Sequence, residues 1–233
     1  MAKKLADIKH QIDEAQMKFK SHLETALDKS VFELLTNLSI THKVYIFSGI
    51  IRNYFLKKTD FRDVDVFIDG ENDIDNLIKY FQYRKNSFGG YKITVNNTNI
   101  DLWFLHDTWA LNNSQGVMAF ELEKYIPTTA FFNFSSIIFS FNENKFYYTI
   151  YFQRFLRDRK IDLVFKPNAN NALCVVNSFY YSDKFKLKLG EKLKKHLKLL
   201  HKRNADKYEE TQLKHFGKIY YSKEIIGDKI ENL

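Results

Sequence analysis

One stretch constrains the chain more than any other. Residues 47–69 read FSGIIRNYFLKKTDFRDVDVFID, and their last seven residues alternate with a period of two. Successive side chains of a strand point to opposite faces, so Asp63 and Asp65 share one face while Val64 and Val66 share the other. Two carboxylates so close together repel, and burying them without a partner is costly. Either a cation sits beside the acidic face, or the segment is not the strand it resembles.

The surrounding sequence places this strand among helices and further strands. Residues 5–28 carry Ile8, Ile12, Ala15, Phe19, Leu23 and Ala26 at steps of three and four, which predicts an amphipathic helix. A second helical stretch runs through Phe32, Leu35 and Leu38. KVYIFS (43–48) is rich in β-branched and aromatic residues and reads as a strand, Ser48-Gly49 as a turn, and IIRNYFLKK as a short helix. NDIDNLIKYFQYRK (72–85) predicts a helix capped by Asn72 or Asp73, with Ile74, Leu77, Ile78 and Phe81 as its apolar stripe. Residues 91–105 predict a hairpin turned at Asn96-Asn97, whose second strand carries Asp101.

If that hairpin joins the sheet beside Asp63 and Asp65, three carboxylates converge at one sheet end. An oxygen-only donor set suits Mg²⁺, with Mn²⁺ an acceptable substitute. Two such ions activate an attacking hydroxyl and stabilise a leaving pyrophosphate. The Ser-Gly turn before a helix adds backbone N–H groups fit for an anion such as a triphosphate. Asp-x-Asp alone is common on the wet face of ordinary strands. The ordered series of strand, Ser-Gly, Arg-bearing helix, Asp-x-Asp strand, helix and third aspartate is far more specific.

These residues resemble the DNA polymerase β-like nucleotidyltransferases, in particular the head domain of tRNA nucleotidyltransferases and bacterial poly(A) polymerases. That family has Gly-Gly-x-Val-Arg-Asp, a short helix, Asp-x-Asp, and a third carboxylate on a later strand. The matching run here is Ser48-Gly49-Ile50-Ile51-Arg52-Asn53, then Asp63-Val64-Asp65, with Asp101 as the third carboxylate. The resemblance covers roughly residues 40–140. It implies an α+β fold with a mixed sheet backed by helices and a helical C-terminal part. It also implies two Mg²⁺ ions and transfer of a nucleoside monophosphate from an NTP such as ATP to an acceptor hydroxyl. Asp63 and Asp65 would bind both metals, Asp101 the ion at the acceptor hydroxyl, and Ser48 and Gly49 the β/γ-phosphates. Arg52 would contact phosphate or form an internal ion pair that shapes the turn. The implied acceptor is an RNA 3′ end such as that of tRNA. A stand-alone toxin or phage-defence factor modifying tRNA or protein, and a non-catalytic nucleotide- or RNA-binding module, are the alternatives.

The chain also departs from the family pattern. Ser48 replaces a glycine and Asn53 an aspartate. FFNFSSII (131–138) keeps Asn133, Phe134 and Ser135, of which Asn133 and Ser135 are candidate nucleotide contacts, but has phenylalanines where the family has two arginines. In NALCVVNSFYYSDKFKLKL (171–189), Asn177 and Tyr180 stand where the neck helix has arginines. Residues that read the base are therefore altered while the carboxylates remain.

Charge and length complete the reading. Lys plus Arg outnumber Asp plus Glu by eight, which favours a polyanionic partner but is weak evidence alone. FKLKLGEKLKKHLKLLHKR (185–203) has Leu189, Leu193, Leu197 and Leu200 at helical spacing. Lys186, Lys192, Lys195 and Lys202 fall outside that stripe, as a solvated face or as RNA-backbone contacts. Cys174 is the only cysteine, so neither an intrachain disulfide nor a thiolate metal cluster forms. The start, MAKKLADIKHQIDEAQ, has no apolar segment of a secretory signal, and FFNFSSIIFSF is too short and polar to span a bilayer, so the chain reads as cytoplasmic. The expected organisation is N-terminal helices over 1–40, a catalytic domain over 41–155 and a basic helical region over 156–233. That last region lacks a long helical body for measuring an RNA, which leaves room for a partner subunit.

Overall fold

The structure, a computed structural model, describes residues 4–47, 49–70, 74–85, 89–108 and 122–233. The chain divides into two compact units, one of Met1–Ala130 with Phe134–Arg157, the other of Phe131–Asn133 with Asp158–Leu233.

The first unit opens with helices α1 (Leu5–Ala26) and α2 (Lys29–Thr41); α1 buries Ile8, Ile12, Phe19 and Leu23 as expected and leaves Ala15 and Ala26 half-buried, while α2 buries Leu35 and Leu38 together with Val31 and Leu34 and leaves Phe32 half-buried. Asp28 caps α2 by accepting a hydrogen bond from the Ser30 N–H. A seven-stranded mixed sheet follows, in the order β3-β4-β5-β2-β1-β6-β7. Its strands are β1 (Lys43–Phe47), β2 (Asp63–Asp69), β3 (Gln82–Lys85), β4 (Tyr91–Val95), β5 (Thr98–Phe104), β6 (Ile137–Ser140) and β7 (Lys145–Tyr148). Only the β2–β5 pair is parallel. Helix α3 (Gly49–Phe55) links β1 to β2, the helical turns α4 (Asp75–Ile78) and α5 (Leu122–Tyr125) follow, and α6 (Ile150–Asp158) comes after β7.

One face of the sheet is dry. Val64, Val66, Ile68, Ile100 and Leu102 are fully buried there, and Phe19 of α1 lies about 5 Å from the rings of Phe139 and Phe146. The hairpin turns as expected at Asn96-Asn97, with Asn96 in the left-handed region at φ 51°. Asparagine tolerates that conformation better than most residues.

The helix expected over 72–85 is not formed. A single helical turn, α4, buries Ile74 and Ile78, and Gln82–Lys85 then pairs with β4 as an edge strand. All four residues of β3 are exposed, so no hydrophobic alternation marks it. The expected caps Asn72 and Asp73 lie outside the described residues.

The second unit holds helices α7 (Asn171–Phe185), α8 (Glu191–Asn204), α9 (Tyr208–Phe216) and α10 (Lys223–Glu231) and a two-stranded parallel ribbon, β8 (Lys160–Ile161) with β9 (Lys188–Leu189). The basic helix begins later than its leucine spacing suggests. Leu189 is buried in β9, and Lys186 occupies the left-handed cap after α7 at φ 52°. Gly190 breaks the run for a steric reason, because a Cβ there would collide with the Asp162 carboxylate. The Asp162 Oδ1 accepts from the Leu193 N–H at 2.9 Å and caps the first turn of α8 from outside the helix. Gln212, fully buried, donates to the Tyr208 and Tyr221 carbonyls and accepts from the Tyr220 and Tyr221 N–H groups.

Candidate functional site

The parallel pairing of β2 with β5 sets Asp65 directly beside Asp101, while Asp63 stands beside Asn99. Asp63 and Asp65 are two residues apart on one strand, so all three carboxylates occupy the same face of the sheet. That face is the one left open beyond β2, whereas Val64, Ile100 and their neighbours fill the dry side. The alternation that makes β2 a strand is therefore what gathers the acids.

Cations answer the charge. The Arg62 Nη2 donates to the Asp63 Oδ2 at 2.7 Å, and its Nε reaches the same oxygen at 2.9 Å. Lys92 on β4 is in register with Asp101 and places its Nζ 3.3 Å from Oδ1. Both carboxylates keep only 17% of their side-chain surface exposed. Asp65, between them, feels the site most strongly. Burial pushes its carboxyl up to about 7, the Asp63 and Asp101 charges push the same way, and Arg62 and Arg52 oppose the rise.

Arg52 is internal. It is 6% exposed, donates from Nε to the Asn53 Oδ1 at 3.0 Å, and holds its guanidinium 5.2 Å from the Phe134 ring centroid. The Asn53 side chain donates in turn to the Asp60 carbonyl and ties the end of α3 to the approach of β2. The Arg52 charge also reaches Asp65. Gly49 is the first residue of α3, and Ser48 lies outside the described residues.

The other residues singled out in the sequence belong to both units. Asn133 belongs to the second unit, where its amide donates to the Lys160 carbonyl and accepts from the Asp162 N–H, both at 2.9 Å. Ser135 is buried in the first unit. Lys192, Lys195 and Lys202 are exposed on α8 opposite the buried Leu193, Leu197 and Leu200, and Lys186 is exposed on the turn before it.

Sequence reasoning missed the partners of the acids. Arg62 immediately precedes Asp63, and Lys92 falls opposite Asp101 once the hairpin is counted back from Asn96-Asn97. Among the described residues no three His, Cys, Asp or Glu side chains are grouped to hold a metal ion as they stand. Asp63 and Asp101 are instead turned toward Arg62 and Lys92. The donor chemistry nonetheless fits a hard divalent cation, being oxygen only, adjacent in register and crowded enough to raise Asp65.

No family model and no curated protein matches the chain in sequence. Solved structures do match in fold. A CCA-adding enzyme in an apo form superposes with a TM-score of 0.63 at 13% identity, over 90% of this chain and 52% of that one. The Thermotoga maritima CCA-adding enzyme complexed with tRNA gives 0.63 at 12%, over 90% and 52%. A tRNA nucleotidyltransferase complexed with a primer tRNA and an incoming ATP analogue gives 0.54 at 14%, over 72% and 51%. The chain spans about half the length of these proteins, and the likeness is one of fold: the mixed-sheet nucleotidyltransferase fold expected from the sequence. Among the described residues no helix is long and apolar enough to cross a membrane.

Proposed function

We propose that this chain is a nucleotidyltransferase that moves a nucleoside monophosphate from an NTP to the 3′ hydroxyl of an RNA, with tRNA as the leading acceptor. The observation that carries the reading is the in-register juxtaposition of Asp65 and Asp101, with Asp63 on the same open face. Three carboxylates converging on a sheet serve no purpose in packing, since each repels the others. The fold shared with CCA-adding enzymes supports the same conclusion.

Asp63, Asp65 and Asp101 would hold Mg²⁺. Bound there, the ions would neutralise the charge of the reacting phosphate and lower the pKa of the acceptor hydroxyl. The chain's own part is positioning. Arg62 and Lys92 balance the carboxylates in the free protein, each through one oxygen of its partner. The buried Arg52 holds the Asn53 side chain, whose amide donates to the Asp60 carbonyl on the approach to β2. By the family resemblance, Ser48 and Gly49 receive the β/γ-phosphates. Without the family arginines, the four NTPs should be discriminated weakly or by other groups.

The test is transfer of radiolabel from each of the four α-labelled NTPs to total RNA and total protein in the presence of Mg²⁺. Label in RNA that disappears in Asp65→Ala supports the reading. Label in protein alone would redirect it to a protein acceptor, and no label in either would make the chain a binding module.

A further inference from the structure

The second unit carries a cavity of its own, of about 560 Å³, bounded by the β8–β9 ribbon, the start of α8, the last turns of α7 and one face of α10. Small-molecule sites occupy roughly 300–1,000 Å³, so one compact ligand fills it.

Charge is divided unevenly around this cavity. On the ribbon side, β8 and β9 run parallel and in register, which sets Lys160 beside Lys188 with both exposed. Like charges facing each other across paired strands are destabilising, and an anion between them removes the conflict. Among the described residues neither lysine forms an ion pair. Lys194, in the first turn of α8, adds a third cation and places its Nζ 2.9 Å from the Glu191 Oε1. The Lys194 hydrogen bond, with Lys195 and Lys160 behind it, holds the Glu191 carboxyl below its usual range. Three cations against one carboxylate leave a surplus that an anion of two or more charges would neutralise.

The side formed by α7 and α10 has no such surplus. Asp183 accepts from the Tyr221 hydroxyl at 2.6 Å and from the Lys229 Nζ at 3.0 Å, so both charges of that pair are answered. Ile225 and Asp228 share one face of α10; Ile225 is 46% exposed, and Asp228 forms no ion pair among the described residues. An exposed aliphatic side chain beside a free carboxylate suits an apolar ring that carries hydroxyl groups. A nucleic-acid backbone is a poor occupant, because its continuous phosphates would run past Asp228 and Asp183 as well as the lysines. A single nucleotide confines its charge to one end.

We propose that this cavity binds one nucleoside polyphosphate, its phosphates on Lys160, Lys188 and Lys194, its ribose hydroxyls on Asp228 and its base against Ile225. Every group of the site belongs to the second unit, whereas Asp63, Asp65 and Asp101 belong to the first. The nucleotide held here is an effector, and the site stands whether or not the transfer reading does.

The test is equilibrium dialysis of radiolabelled ATP against the full chain in EDTA, which withholds divalent ions from the carboxylates of the first unit. Saturable binding of a single ATP is expected, weakening as salt is raised. Lys160→Gln combined with Lys188→Gln should weaken it by about tenfold or more, because hydrogen bonds to a charged ligand are lost. Both lysines are exposed, so the circular dichroism spectrum should not change. Asp228→Asn should weaken ATP by roughly threefold or more and leave tripolyphosphate, which lacks the nucleoside, no weaker. ATP that does not bind, or that binds the double variant equally well, would overturn the site. An equal response of ATP and tripolyphosphate to Asp228→Asn would overturn its nucleoside half. A single-stranded oligoribonucleotide that displaces ATP and is itself lost in the double variant would overturn the small-molecule assignment in favour of an RNA backbone. ATP binding that depends on the lysines in a chain without transfer activity would support the site and remove only the transfer reading. Transfer activity without ATP binding in EDTA would do the reverse.

Discussion

Replacing Asp65 with asparagine should stabilise the free protein at pH 8. The Asp65 carboxyl is raised from 3.8 to about 7, first by burial and then by Asp63 and Asp101. A carboxyl raised on folding favours the protonated native state. Its contribution is therefore fully present below pH 3.8 and is lost as pH rises through about 7. At about 1.36 kcal/mol per pH unit, the loss approaches roughly 4 kcal/mol. Asp63 and Asp101 share in the repulsion and already turn to Arg62 and Lys92, so about half, ~2 kcal/mol, is the expected gain from Asp65→Asn. For a chain of this size that raises Tm by roughly 4–8 °C. The assay is thermal unfolding of both proteins in EDTA from pH 4 to pH 8. The two curves should nearly coincide at pH 4 and separate as pH rises. Millimolar Mg²⁺ should then raise the Tm of the natural protein at pH 8 and leave Asp65→Asn unmoved. A variant that is less stable at pH 8, or a difference that does not change with pH, would refute the electrostatic account of this site.

Other substitutions test other parts of the chain. Asp63→Ala and Asp101→Ala should each reduce transfer by at least about a thousandfold with the circular dichroism spectrum intact; near-normal turnover in Asp101→Ala would point to another carboxylate such as Asp107. Gly190→Ala should cost about 2–4 kcal/mol in urea unfolding, because its Cβ meets the Asp162 carboxylate that caps α8. Gln212→Leu should cost about 3 kcal/mol or more by the same measurement, since it strands the backbone groups of Tyr220 and Tyr221. Replacing Lys186, Lys192, Lys195 and Lys202 together with glutamine should flatten the salt dependence of tRNA binding by about 0.9 per contact, and an unchanged slope would leave these lysines as a solvated face.

The parts of this molecule that were legible in its sequence are those where burial imposes a period. Val64 and Val66 announce β2, and the face they define places Asp63 and Asp65 with no knowledge of the rest. The turn at Asn96-Asn97 announces the hairpin, and its register also yields Lys92 opposite Asp101. What went unread lacked such a signal. Strand β3 is exposed throughout and exists only because β4 offers it backbone partners. Leu189 continues the spacing of Leu193 and Leu197 by coincidence, while Gly190 and Asp162 decide where the helix begins. The aromatic row of Phe47, Phe67 and Trp103 arises from three separate strands, and only their register shows that the rings meet.

The register of β2 and β5 has a consequence for how this chain can change over time. Because side chains alternate, losing or gaining one residue within 63–65 or 99–101 would carry an aspartate into the layer filled by Val66, Leu102 and Phe139, and an aliphatic residue out to solvent. Chemistry and core would fail in the same event. Length variation is instead admissible in the approach to β2, over residues 56–59, which lies outside the paired strands. A lineage of such chains can therefore lose activity gradually through point replacements at Asp63, Asp65 or Asp101 and remain folded. Small insertions inside the two strands would remove the protein outright, so homologues should share an ungapped block there whatever their reaction.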